Sequence, residues 1–214
     1  AYCLNVPEMV IWKDVPGVMN ADPKWMPDAV KLETLSYREA IELAYYGASV
    51  IHPKTIRPLE NAGSTLHVKS FLTPDSAGTV IRNLKEWKIS IPVFIRKQHQ
   101  MLISLSRRDF SFIMEDHLGD IFQTLAKNRV KVNVMHNSAI SFSICVDDDE
   151  RKLQPLIRQL GDLYEVRYND GVELITIRHY NDEAIRKVTA GRRILMELRS
   201  RNTIQMVVMF STME

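Results

Sequence analysis

The stretch that decides the fold runs from residue 11 to residue 80: IWKDVPGVMNADPKWMPDAVKLETLSYREAIELAYYGASVIHPKTIRPLENAGSTLHVKSFLTPDSAGTV. Just before and inside its start, the apolar run at residues 9–12 ends in KDVPG, a turn signal. It reads as a buried strand with Asp14 at its carboxyl end. In an open α/β sheet ligands gather beyond the carboxyl ends of strands, so Asp14 and its neighbours are candidates for binding. Ser36 followed by Glu39 has the form of a capping box, in which the two side chains satisfy exposed N–H groups at a helix start. Ile41, Ala44 and Tyr45 then recur at helical spacing, and Gly47 supplies the left-handed stop. A second short helix is expected over residues 54–62, ended by Gly63, and residues 66–70 form the last strand of this part.

Working outward, residues 83–98 read as a connector, with Asn83, Lys85, Glu86, Lys88 and Pro92 leading into the charged RKQHQ. Beyond it residues 101–105 are a strand, and Leu118, Ile121, Phe122, Leu125 and Ala126 form one apolar helical face. Residues 130–134 and 140–146 alternate as strands. Leu153, Leu156, Ile157 and Leu160 form a second helical face, stopped by Gly161; Pro155 puts either a late start or a kink in that helix. A strand at residues 166–168 closes a strand–helix–strand–strand–helix–strand unit, the ferredoxin-like pattern. A shorter unit follows: a strand at residues 172–177, a helix capped by Asn181 that runs to Ala190 and stops at Gly191, and a hairpin of residues 194–198 and 203–208 around Arg201 and Asn202.

Composition narrows the function classes. The chain has 214 residues, 45% hydrophobic and 25% charged, which suits one or two globular domains. A net charge of +2 gives no long-range argument for nucleic acid or an anionic membrane, and the strands lack the paired exposed aromatics that stack bases. Two cysteines, Cys3 and Cys145, are too few for a disulfide framework, which fits a reducing cytoplasm. No apolar run approaches the about 20 residues that span a bilayer, and no signal pattern opens the chain. The first residues, AYCLNVPEM, read as the middle of a fold.

The segments DVPGVMNADPK (residues 14–24), LSYREAIELAYYGA (35–48), VIHPKT (50–55) and PDSAGTVI (74–81) together resemble the nucleotide-site end of the aspartate kinase catalytic domain. The two later units resemble the paired ACT modules that regulate that family. The fold implied is α/β and α+β: a C-terminal fragment of an amino-acid-kinase fold (an αβα sandwich), followed by tandem ferredoxin-like ACT modules, the second abbreviated. The boundaries read as residues 1–82 for the kinase part, 83–98 for the connector, 99–170 for the first ACT module and 171–214 for the short second one.

What the resemblance implies about function is specific. The reaction is ATP-dependent phosphorylation of the aspartate side chain, with Mg2+. Lys13, Asp14, Met19, Lys24 and Ser49 fall at the ATP site. Asp14 suits ribose or the adenine amine, and Lys24 stands where the family has a phosphate-reaching arginine. Met19 and Ser49 depart from the family's tyrosine and lysine. No KFGGTS-like phosphate loop occurs, so the catalytic groups are expected outside this chain, none being assigned within it, and the chain alone is expected to be inactive. No metal ligands are assigned. His52 at a helix entry is expected to satisfy backbone groups rather than to transfer protons.

The resemblance also implies an allosteric amino acid, lysine before threonine. Its site is expected on the loop FIMEDHL (112–118) and the segment VNVMHNSAISFSICV (132–146), with Ser111, Asp116, His117, Leu118, Asn133, Asn137, Ser138 and Ile140. A helix N-terminus suits the ligand's carboxylate. The plain alternative makes Asp116 a helix N-cap and Asn133 an edge-strand polar residue. Joined sheet edges imply a homodimer. A competing reading is a stand-alone amino-acid-sensing subunit without catalysis.

Overall fold

The computed structural model describes residues 3–4, 6–48, 51–84, 91–109 and 111–210. It divides into two compact units: Ala1–Ile95 with Ile177–Ala184, and Arg96–Thr176 with Ile185–Glu214.

Unit 1 is a four-stranded mixed sheet with two helices. Its elements are β1 (Glu8–Lys13), β2 (Thr34–Ser36), α1 (Tyr37–Tyr46), α2 (Pro53–Asn61), β3 (Thr65–Ser70) and β4 (Thr79–Arg82). The sheet order is β1-β3-β4-β2, with β1 parallel to β3, β2 parallel to β4, and β3 antiparallel to β4. Leu35, Leu43, Ile56, Leu59, Leu66, Val68 and Ile81 pack both helices against the sheet. Fully burying each such side chain contributes about 1.5–3 kcal/mol. Gly47 and Gly63 take the positive φ expected of helix stops.

Two expectations change here. Strand β1 lies at the sheet edge and is not buried: Val10 is 40% and Trp12 49% exposed. A strand with one neighbour covers only part of its apolar run. Residues 66–70 are followed by a further strand, β4, hidden in the sequence by its shortness and by Gly78 beside it.

Unit 2 is built on a six-stranded sheet, order β6-β7-β5-β8-β10-β9. Its elements are β5 (Val93–Arg107), α3 (Glu115–Lys127), β6 (Val132–Asn137), β7 (Ser141–Asp147), α4 (Glu150–Gly161), β8 (Tyr164–Arg178), α5 (Asp182–Thr189), β9 (Arg192–Arg199) and β10 (Thr203–Phe210). Strands β6-β7-β5-β8 with α3 and α4 make the ferredoxin-like module. Ile121, Leu125, Leu153, Leu156 and Leu160 of the helices meet Met101, Ile103, Leu105, Phe142, Ile144 and Val146 of the sheet. Leu102 and Cys145 alternate to the other face, where they join Val172, Leu174 and Val207. The expected hairpin is present as antiparallel β9 and β10. Asn181 caps α5, its Oδ1 accepting from the Ala184 N–H at 2.8 Å.

Two readings are corrected, and one open alternative is decided. Residues 93–98, read as connector, are the start of β5, because buried Val93, Phe94 and Ile95 precede the charged run. The strands expected at 166–168 and 172–177 are one strand, β8; Asn169-Asp170-Gly171, with Gly171 at φ 60°, interrupts its burial pattern without reversing the chain. Helix α4 starts at Glu150, so Pro155 lies inside it and not in the first turn.

Candidate functional site

At the end of β1 the Phe71 N–H donates to the Lys13 carbonyl at 2.9 Å, and Asp14 follows, exposed. Residues 18–32 then form a loop with a pinned neck. The Leu32 N–H donates to the Val18 carbonyl at 2.8 Å and the Asn20 N–H to the Val30 carbonyl at 2.9 Å. The Val30 N–H donates to Asn20 Oδ1 at 2.8 Å. Thr79, fully buried on β4, closes the neck: its Oγ1 accepts from the Val18 N–H at 2.8 Å and donates to the Leu32 carbonyl at 2.6 Å. Gly17 has to be glycine for this, since a Cβ there would stand 2.5 Å from that hydroxyl.

The loop carries two of the expected ATP-site residues. Met19 is half-buried and bridges to Lys31, while Lys24 is exposed beyond a turn in which Asp22 Oδ1 accepts from the Lys24 N–H at 2.9 Å. Ser49 lies outside the described residues. His52 is the N-cap of α2, its Nδ1 accepting from the Lys54 N–H at 3.2 Å, which matches the backbone role expected of it. Asn20 also ties the loop to the start of β5: its Nδ2 donates to the Pro92 carbonyl at 3.1 Å, and the Phe94 N–H donates to its carbonyl at 2.7 Å.

The capping box at α1 is half formed. Ser36 Oγ accepts from the Glu39 N–H at 3.1 Å, but the Glu39 carboxylate does not return to the cap. It is buried and accepts two bonds from Arg178, from Nε at 2.9 Å and Nη2 at 2.6 Å. His179 Nε2 stands 3.1 Å from the same carboxylate, and Arg178 Nη1 reaches Glu42 at 3.4 Å. Burial opposes ionisation of Glu39, yet the bonds and charges of Arg178 and His179 outweigh it and hold its pKa at about 2. Residue pattern gave no warning of this cluster; the one trace is an arginine–histidine pair closing the apolar run of β8.

In unit 2 the loop before α3 and the β6–β7 turn meet, the Ile113 N–H donating to the Ala139 carbonyl at 3.0 Å. Ser138 Oγ is engaged with Ser141 Oγ at 2.8 Å, and Asn137 and Ile140 are exposed beside it. Asp116 is not the N-cap: that position is Met114, whose N–H donates to His117 Nδ1 at 3.0 Å. Asp116 instead accepts from the His117 N–H at 2.9 Å, and Leu118 is half-buried in the first turn. Arg107, missed in the sequence, lies against His117 Nε2 at 2.9 Å and makes a two-pronged pair with Asp109. Asp109 also accepts from the Ser111 hydroxyl and N–H. A neutral imidazole has a single lone pair on nitrogen, so His117 can accept from Met114 or from Arg107, not both.

Asn133 is elsewhere. Register pairs Asn137 with Phe142 at one end of β6 and Val132 with Val146 at the other, so Asn133 and Ser138 are separated by about 16 Å of extended chain. Asn133 is committed to its own network. Its Oδ1 accepts from Lys97 at 2.9 Å, and its Nδ2 donates to Gln100 and to Asp147, each at 2.8 Å. Burial lowers the Lys97 pKa; for Asp147 burial is outweighed by the Gln100 and Asn133 bonds and the lysine charges, and its pKa falls. The structure thus gathers Ser111, His117, Ser138 and the flanking loop residues at one end of the module and leaves Asn133 at the other.

The fold class is thus an α/β unit followed by ferredoxin-like modules of the ACT type. Residues 1–70 match the model of the Amino acid kinase family. The chain is 48% identical over 145 residues to the bifunctional aspartokinase/homoserine dehydrogenase of Haemophilus influenzae, covering 67% of this chain and 18% of that protein. It is 26% identical over 184 residues to lysine-sensitive aspartokinase 3 of Escherichia coli, covering 83% of this chain and 41% of that protein. A solved structure of E. coli aspartokinase III in complex with lysine and aspartate superposes with a TM-score of 0.76 at 23% identity, over 96% of this chain and 49% of that one. The chain belongs to the aspartokinase family, and it spans less than half the length of each of these relatives.

Proposed function

We propose that this chain is the nucleotide-side and regulatory part of an ATP-dependent aspartate kinase, which converts L-aspartate to 4-phospho-L-aspartate. The observation that carries the reading is the pinned loop that follows Asp14 in the chain, held by Thr79 and Asn20 and bearing Met19 and Lys24. Exposed Asp14 accepts hydrogen bonds from a ribose hydroxyl or the adenine amine. Exposed Lys24 meets phosphate as a point charge, and Lys13, Met19 and Ser49 complete the nucleotide contacts. In this reading Mg2+ would sit with the ATP phosphates. Bound there, Mg2+ neutralises charge on the transferred phosphoryl group. The resemblance places the catalytic groups outside this chain, and in this reading the chain alone is inactive.

The regulatory unit binds an amino acid at the meeting of the α3 loop and the β6–β7 turn, with Ser111, Asp116, His117, Leu118, Asn137, Ser138 and Ile140 around it. Lysine is the first candidate, as the lysine-sensitive relative suggests, and threonine the second. Strand β6 is a sheet edge that supports homodimer formation, in the cytoplasm. The departures at Met19 and Ser49 favour one second reading, a stand-alone amino-acid sensor. Calorimetric titration with lysine, threonine, methionine and Mg·ATP separates the two. Binding of an amino acid together with Mg·ATP supports the kinase reading, and amino-acid binding without any nucleotide binding supports the sensor. Aspartate-dependent ADP release by the purified chain would overturn the predicted inactivity.

A further inference from the structure

Arg107, the last residue of β5, and His117, in the first turn of α3, point hydrogen-bond donors at each other. The lone pair of His117 Nδ1 is taken by the Met114 N–H at 3.0 Å. A neutral imidazole has one such lone pair, so its proton sits on Nε2. Arg107 Nη1 stands 2.9 Å from that Nε2, and a guanidinium has donors only. The other tautomer lets Nε2 accept from Arg107 but turns Nδ1–H against the Met114 N–H, and the doubly protonated ring opposes both. Every protonation state therefore leaves one donor facing another. Each group is also held from its far side. Arg107 Nε and Nη2 are bound to Asp109 at 3.1 and 3.0 Å, and Asp109 accepts in turn from the Ser111 N–H and hydroxyl. The Met114 bond holds the imidazole. The two side chains are partly exposed, at 30% and 22%, so a small acceptor reaches the space between them.

We propose that Arg107 Nη1–H and His117 Nε2–H form a two-donor seat for the α-carboxylate of a free amino acid. The inference rests on the effector reading above and adds the groups that recognise the ligand's head. One carboxylate oxygen accepts from both donors, or the two oxygens take one each, and an opposed contact becomes a pair of charge-assisted bonds. The exposed Asp116 carboxylate, next to His117 in the chain, receives the ammonium. Arg107 and Asp109 together are electrically neutral, so the seat selects by donor geometry rather than by surplus positive charge. It suits a zwitterion and disfavours a phosphate dianion, which Asp109 and Asp116 repel. Because both donors are held before the ligand arrives, binding has few groups left to order. The seat does not read the ligand's side chain, and so serves lysine and threonine alike.

The test uses the whole protein, with calorimetric titration of lysine, threonine and their amides, and heteronuclear NMR of the histidine rings. In the wild type His117 is expected as the Nε2-protonated tautomer. The amino acid that binds is expected to do so about tenfold or more tightly than its amide. In Arg107→Gln that ratio is expected to shrink to about threefold or less, the rest coming from the first N–H groups of α3. Asp109→Asn breaks the ion pair but keeps both donors, and is expected to hold the ratio near the wild-type value, which separates loss of the seat from loss of the local fold. An Nδ1-protonated His117, which makes the Arg107 contact an ordinary bond, overturns the proposal. So does a ratio unchanged in Arg107→Gln. Failure of both amino acids to bind the wild type at millimolar concentration overturns the effector reading and the seat with it, a result that neither of the other two imitates.

Discussion

Replacing Thr79 by valine removes one hydroxyl and keeps the shape of the side chain. The hydroxyl has two partners: it accepts from the Val18 N–H at 2.8 Å and donates to the Leu32 carbonyl at 2.6 Å, in a neighbourhood where Val18, Leu32 and Thr79 are all buried. Valine leaves both backbone groups without this partner, and water has no easy route to replace it. A buried group left unsatisfied costs about 1–3 kcal/mol, and the added methyl returns about 1 kcal/mol of apolar burial. For two such groups the net loss expected is about 1–5 kcal/mol, with about 3 kcal/mol at the centre. Serine at the same position keeps both bonds and loses one methyl, so it should cost about 1 kcal/mol. Urea unfolding followed by tryptophan emission reads the right unit, because Trp12, Trp25 and Trp87 all precede Arg96 in the sequence. For Thr79→Val the midpoint should fall by about 1–2 M with little change of slope. A valine variant within about 0.5 kcal/mol of the wild type, or a serine variant as unstable as the valine one, refutes the argument that the hydroxyl pins the loop.

Glu39 gives a pH signature. Its pKa falls from 4.5 to about 2 in the folded protein, so its contribution is present above pH 4.5 and is lost as the pH falls through about 2. The amount is on the order of 3 kcal/mol, and Glu39→Gln should remove that part of the acid dependence of unit 1 unfolding. Cys145 is buried and its thiol is pushed up to about 12 by burial, whereas Cys3 is exposed. One thiol should react with a disulfide reagent in the native protein and two after denaturation; rapid native reaction of both contradicts the placement of Cys145. Asn133→Ala should destabilise unit 2 by about 1–2 kcal/mol through the lost Lys97, Gln100 and Asp147 bonds. It should leave amino-acid affinity unchanged in calorimetry, and a tenfold weakening would return Asn133 to the binding site.

Much of the fold was legible because its signals are local. Asn181 caps α5, Gly47 and Gly63 stop helices, and the alternation at residues 194–208 declares a hairpin; each depends on a few adjacent residues. What was not legible depends on distant partners. Ser36 and Glu39 have the spacing of a capping box, but Arg178, 139 residues away, binds the carboxylate more strongly than the cap's N–H does. Asn169-Asp170-Gly171 carries turn chemistry, and Gly171 takes φ 60°, yet the chain runs on as one strand, β8, between β5 and β10. The candidate ATP-site residues follow from the motif around Asp14, while the groups that hold their loop, Thr79 and Asn20, carry no chemical mark in the sequence. Asn133 matched a spacing that holds for a sequence segment but not for the ends of a six-residue strand.

Strand β8 has a practical consequence for anyone who would dissect this protein. Because its fifteen residues serve the four-stranded module on one side and the β9–β10 hairpin on the other, no cut near residue 170 releases two intact pieces. Gene fusions, truncations and domain exchanges that treat the modules as beads on a string will split a backbone ladder and expose fresh edges to aggregation. The inseparable part for transplantation is the whole sheet from β5 to β10.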